Sequence, residues 1–143
     1  MHDSKTTTRQ TAWPRWAKSL ATLLIIGAVS VLIWSQLPRG SYPTDLTRIG
    51  SGQPALVLAY DMNYAGGMAV MELLNSIRDE YAQKVDFLVA HLGMADGEAF
   101  ASLHGASDGS VLLFGADGKP IGTLHQPQSA EEIRQALDKA FGL

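Results

Sequence analysis

Ser19 to Leu37, SLATLLIIGAVSVLIWSQL, is a run of nineteen residues with no charge and no proline. At 1.5 Å per residue a helix of this length measures about 28 Å, close to the roughly 30 Å hydrocarbon core of a bilayer. Pro38, Arg39 and Gly40 end the run, and Trp16 and Trp34 fall near its two ends, where indole rings favour the membrane interface. A cleaved signal peptide would have a shorter apolar region and a small-x-small cleavage site, which Trp34-Ser35-Gln36-Leu37-Pro38 does not provide. A buried core helix would carry a polar stripe, and here only isolated Ser and Thr interrupt the apolar residues. The run therefore predicts a retained transmembrane helix over 19–37, with membrane lipid as its first partner.

The flanks predict its orientation. Lys5, Arg9, Arg15 and Lys18 precede the span, whereas only Arg39 and Arg48 follow it closely. Positive-inside bias puts residues 1–18 in the cytoplasm as a short tail and the rest of the chain outside, which in a Gram-negative bacterium is the periplasmic side of the inner membrane. Beyond residue 40 the chain carries six basic and thirteen acidic side chains. That balance excludes nucleic acid as a partner, since phosphate recognition needs a basic surface. The chain has no cysteine, which rules out disulfides, thiolate metal sites and any chemistry in which a thiolate attacks a disulfide.

Residues 38–54, PRGSYPTDLTRIGSGQP, read as a linker with one helical turn over Thr44–Ile49. Residues 55–143 read as a single α/β domain. Ala55–Tyr60 is an apolar run suited to a strand buried on both faces. Val70, Leu73, Leu74, Ile77 and Tyr81 form one stripe of a helix over Gly67–Tyr81. Val85–Leu92 is a second strand. Asp96 is placed to cap a short helix that buries Phe100 and Leu103. Ser110–Phe114 and Ile121–His125 are strands joined by the turn signal Ala116-Asp117-Gly118-Lys119. Ser129 with Glu132 is a capping box that opens a helix burying Ile133, Ala136, Leu137 and Ala140. The order β-α-β-α-β-β-α, with a right-handed first crossover and a terminal hairpin, predicts a mixed four-stranded sheet with helices on both faces.

Three stretches in that order carry a family resemblance. They are Ala55–Tyr81 (strand, turn and a helix closing in Asp79-Glu80-Tyr81), Lys84–Leu92, and the hairpin Ser110-Val-Leu-Leu-Phe-Gly-Ala-Asp-Gly-Lys-Pro-Ile-Gly. Together they resemble the thioredoxin family over roughly Gln53 to Leu143. The family's W-C-G-P-C motif, laid on the helix without a gap, falls on Asn63-Tyr64-Ala65-Gly66-Gly67. Tyr64 then stands where the resemblance implies the attacking cysteine, and Gly67 where it implies the resolving one. The family's buried acid maps to Leu58, its partnering lysine to Val89 and its cis-proline to Gly109. The resemblance thus implies a fold kept without its redox chemistry: no thiol-based activity, no catalytic residue and no cofactor.

Two places are candidate contacts for a protein partner. Tyr64, Ala65, Gly66, Gly67 and Met68 sit at a helix N-terminus, whose free N–H groups suit a partner's carboxylate or carbonyl; the commoner use of such glycines is a plain turn. Gly109 and Ser110 lie where the resemblance implies a substrate loop, and without proline Gly109 has a backbone donor free for pairing with an extended peptide; an ordinary loop is the alternative. Met62, Met68, Met71 and Met94 gather around the same region, as a soft apolar patch or as core filling. His91, His104 and His125 have no spacing that converges on a metal, and Asp86, Asp96, Glu98 and Asp108 read as a solvated acidic face. There is no Gly-rich phosphate loop, G-x-S-x-G or H-E-x-x-H. The expectation is a membrane-anchored, redox-inactive interaction module that binds another membrane or periplasmic protein as an accessory subunit, assembly factor or chaperone-like holder. An enzyme with a non-thiol histidine or carboxylate site, and a purely structural single-pass subunit, are the alternatives.

Overall fold

A computed structural model describes residues 14–36 and 41–143. The chain divides into two units at Gly40. In the first, α1 (Arg15–Gln36) is a 22-residue helix, and its segment Trp16–Ile33 is long and apolar enough to cross a membrane. Leu20, Leu23, Leu24, Ile25 and Val29 stand exposed along it. The side chain of Trp34, the terminating Leu37-Pro38-Arg39-Gly40 and the basic residues Lys5 and Arg9 lie outside the described residues.

The second unit contains strands β1 (Ala55–Tyr60), β2 (Asp86–His91), β3 (Ser110–Phe114) and β4 (Pro120–His125), and helices α2 (Ala65–Tyr81), α3 (Ala95–His104) and α4 (Ala130–Phe141). The strand order is β2-β1-β3-β4, with β1 parallel to β2 and antiparallel to β3, and β3 antiparallel to β4. This is an α/β domain with a mixed sheet flanked by helices. β1 and β3 are central and bury nearly every residue, which explains why both read as unbroken apolar runs.

The sheet's two faces bury separate clusters. On one, α2 and α4 pack Val70, Leu74, Ile77, Ile133 and Leu137 against Leu56, Leu58, Val111 and Leu113. On the other, α3 presents Phe100 to Val57, Leu88, Leu112 and Phe114. Leu103, expected in the core, is 78% exposed. The face of α3 that meets the sheet runs through Gly97, Phe100 and His104, and Leu103 is rotated off it by the helical period. The His104 ring packs in its stead, 4.6 Å from Phe100 and 5.2 Å from Phe114 between centroids. Asp96 is not the cap of α3 either. Met94 holds that position without a side-chain bond, and Asp96 stands in the first turn, where its charge complements the helix dipole. The capping box of α4 is half formed: Ser129 Oγ accepts from Glu132 N, while Glu132 Oε2 reaches Gln128 N rather than Ser129.

Of the stretch read as a linker, residues 41–54 are described, and they pack on the domain. Tyr42 is buried in the first cluster, its hydroxyl donates to Asn75 Oδ1, and Arg78 lies over its ring. Val89 N donates to Pro43 O, so this segment covers part of the outer edge of β2. The predicted helical turn is present as a 3-10 turn at Leu46–Arg48.

Helices α2 and α4 are joined by Arg134, which donates from Nε and Nη2 to the two oxygens of Glu80 at 2.9 and 2.7 Å, and by the Tyr81 hydroxyl, which donates to Asp138 Oδ1 at 3.0 Å. The ion pair is exposed, so solvent screens it and it adds little to stability. Tyr81 is buried, and burial, followed by the bond to Asp138, pushes its phenol up to about 12. The folded state therefore prefers the neutral phenol. That contribution is fully present below the ordinary value of 10.0 and is lost as pH rises toward about 12. In an ultraviolet phenolate titration Tyr81→Phe should remove the last-ionising component. An unchanged high-pH limb would contradict this.

Candidate functional site

At the C-terminal end of β1 three loops meet. The first follows β1 directly. Asp61 Oδ1 accepts from both the backbone N and the side-chain Nδ2 of Asn63 at 2.9 Å, a side-chain turn that reverses the chain. Tyr64 then caps α2 with no side-chain hydrogen bond of its own, since a phenol cannot fold back onto the first helical N–H groups. The missing cap comes from the second loop. Asp108 Oδ2 accepts from Gly67 N at 2.8 Å, and Asp108 Oδ1 accepts from Asp61 N at 2.9 Å. One carboxylate thus satisfies a free donor of the helix, complements its dipole and ties the turn to the loop before β3.

The third loop closes the arrangement. Gln126, at φ 46, donates from its backbone N to Gly109 O and from Nε2 to Asp108 O. The approach is close enough to require glycine. A Cβ on Gly67 would collide with Asp108 Oδ1 and sit 2.8 Å from the Tyr60 ring. Gly109 has φ +82, and a Cβ there would lie 2.9 Å from Gln126 Cγ and 3.2 Å from the Gly66 carbonyl carbon.

Tyr64–Met68 and Gly109–Ser110 are therefore neighbours in space, but they play different parts. Tyr64, Ala65 and Met68 are exposed, Gly66 is half-buried, and Gly67, Gly109 and Ser110 are buried. Two of the donors read as free are spoken for. The N–H of Gly67 goes to Asp108. Gly109 N donates to Ala59 O at 2.9 Å, and Gly109 O accepts from Gln126 N. Strand pairing between Gly109 and an extended peptide is thus pre-empted by the fold itself, and a partner's carboxylate would meet Asp108 already in place on the Gly67 N–H. Ser110 is an internal strut whose Oγ accepts from Ser107 N. Asp108, read as part of a solvated acidic face, is half-buried and holds the site together. Neither it nor Gln126 stood out in the sequence, because each partner lies far along the chain.

Around this base stand exposed apolar side chains: Met62, Tyr64, Met68 and Met94 are 77, 64, 53 and 64% accessible. Met71 instead packs against the core. A hollow of about 500 Å³ lies among Asp61, Tyr64, Gly66, Leu92, Asp108 and Gln126. A smaller one of about 220 Å³ lies beside it, with Tyr60, Met62, His91 and Met94 in its wall. The three histidines are apart: His91 meets Tyr60 edge-on at 5.5 Å, His104 is packed on the far face of the sheet, and His125 is exposed at the end of β4. Among the described residues no three His, Asp or Glu side chains converge as a metal site. No family model and no curated protein sequence matches the chain.

Proposed function

We propose that this chain is a non-catalytic, membrane-anchored module of thioredoxin-like fold that docks another membrane or periplasmic protein, as an accessory subunit or an assembly or chaperone-like factor. The observation that carries the reading is the exposed rim of Met62, Tyr64, Met68 and Met94 on loops whose backbone is locked by Asp108, Gly109 and Gln126 and, at Met94, by the bond from its N to His91 O. Soft apolar side chains on a rigid base are what a protein-binding surface needs, because little order is lost on binding. The parallel β1–β2 pair with its crossover helix and the terminal β3–β4 hairpin support the thioredoxin-like reading. The absence of cysteine from the sequence removes thiol exchange. In this reading α1 is the anchor. The basic residues before it keep the N-terminus in the cytoplasm, and the domain faces the periplasm of a bacterial inner membrane. The partner is met by Tyr64, Ala65 and Met68 directly, while Gly66, Gly67, Gly109 and Ser110 shape the surface from beneath.

The test is purification from native membranes in mild detergent, comparing the unaltered chain with Tyr64→Ala and Met68→Ala. Both side chains are exposed, so stability should change by less than about 0.5 kcal/mol. Loss of a central aromatic or methionine contact should cost a partner more than about 1.4 kcal/mol, a tenfold weaker affinity that lowers its recovery. Recovery of the protein alone, or equal recovery of the same partner with both variants, would refute the docking face.

A further inference from the structure

The smaller hollow lies where the fold favours a ligand. β1 and β2 are parallel neighbours with Tyr60 opposite His91. Beyond Tyr60 the chain turns to the face covered by α2, and beyond His91 it turns to the opposite face, where α3 packs. Two parallel strands whose following helices go to opposite faces leave a crevice outside their C-terminal ends, the topological switch point at which open α/β sheets bind ligands. The hollow of about 220 Å³ occupies that crevice. Its rim is held in place by backbone bonds, from Leu92 N to Tyr60 O and from Met94 N to His91 O.

The chemistry of the wall is specific. Met62 comes from the turn after β1, Met94 from the turn after β2, and His91 from between them. The two thioethers are exposed on flexible side chains, so each sulfur is free to swing toward a common centre. Among the described residues the His91 imidazole has a ring contact with Tyr60 and no hydrogen-bond partner. Its nitrogens are therefore available as ligands. Asp61, the nearby acid, already accepts two bonds from Asn63. The Asp61 carboxylate in the same wall is a hard donor, and beside it two thioethers and one imidazole make a soft, neutral donor set. Such a set selects a soft monovalent ion over Mg²⁺, Ca²⁺ or Zn²⁺. In a chain without cysteine, thioethers are the only strong soft donors present.

We propose that Met62, His91 and Met94 form a three-coordinate site for Cu(I) at the switch point between β1 and β2. The site does not depend on the docking reading, and its test uses no partner, so either can fail without the other.

The experiment is anaerobic titration of the full chain in detergent micelles with Cu(I), in competition with a coloured Cu(I) chelator. The expected result is one Cu(I) bound per chain. Met62→Leu, Met94→Leu and His91→Gln should each weaken binding at least tenfold, and the Met62→Leu/Met94→Leu double variant should abolish it. Met68→Leu should leave it unchanged. Leucine conserves volume at these exposed positions, so the thermal midpoint should not move. A second measurement needs no variant. Ag(I), added as a redox-inert stand-in to protein labelled in its methionine methyl groups, should shift the signals of Met62 and Met94 and leave those of Met68 and Met71. No competition with the chelator, undiminished binding in the double variant, or Ag(I) shifts at Met68 in place of Met62 and Met94 would each overturn the site.

Discussion

Gly97→Ala is expected to lower the thermal unfolding midpoint of the protein by roughly 10 °C or more. At an exposed helical position the same change would stabilise by about 1 kcal/mol, because alanine is the better helix former. Here the sign reverses. Gly97 lies in the first turn of α3 and presses on the end of β2, so that a Cβ added to it would collide with the backbone N, carbonyl carbon and oxygen of His91. Neither side yields easily. The His91 carbonyl accepts from Met94 N, and β2 is paired with β1 along its length. Overpacking against backbone falls at the upper end of the usual range, about 3 kcal/mol, and each kilocalorie is worth at least about 4 °C in a domain of this size. Gly93→Ala is the control. It is four residues away on the same connection, nothing lies within 4 Å of its added Cβ, and its φ is not in the left-handed region. It should move the midpoint by no more than a degree or two. A Gly97→Ala protein as stable as its parent would show that α3 does not seat on β2 as described. Because Gly97 sets the distance between α3 and His91, a destabilised variant should also lose Cu(I) affinity.

The second large effect is expected at Asp108. Asp108→Ala removes the acceptor for Gly67 N and Asp61 N together. Bonds to a carboxylate contribute about 1.5 kcal/mol each or more, and half-burial lets water replace part of that, so a loss of about 2–3 kcal/mol is expected. Asp108→Asn keeps one side-chain oxygen as acceptor and should cost about half as much. The two variants should differ in place as well as size. In hydrogen exchange Asp108→Ala should expose the amides of Asp61 and Gly67 while the interior of α2, held by Val70, Leu74 and Ile77, stays protected. Equal stability of Asp108→Ala and the parent would mean that the loops are held by Gly109 and Gln126 alone.

How much of this could be read from the residues depends on the range of the interaction. β1 and β3 were legible because an apolar run between turn signals is a local pattern, and both fall at Ala55–Tyr60 and Ser110–Phe114 as the sequence predicts. The stripe of α2 and the Ser129 cap of α4 are local in the same way. α3 was legible only in outline. With ten residues, Phe100 and Leu103 looked equivalent, and the choice of His104 over Leu103 as the packed neighbour was made by the aromatic pair Phe100–Phe114 across the sheet. The capping of α2 was not legible at all, since its own N-terminal residues include no capping side chain and the carboxylate that serves comes from a position 41 residues away.

By itself the sequence determined that β1 and β3 would be buried, that one stretch is long and apolar enough to span a lipid bilayer, and that no sulfur chemistry of the thiolate kind is possible. Those are properties of composition and of short-range periodicity, and each can be evaluated one segment at a time. Only the tertiary structure decided that Asp108 is bonded to Gly67, that the donors of Gly109 are used internally, and that Met62, His91 and Met94 share one hollow. These are meetings between residues remote in the chain, and they arise because the sheet brings the C-terminal ends of β1 and β2 and the start of β3 to one edge, where no local pattern records who will be opposite whom.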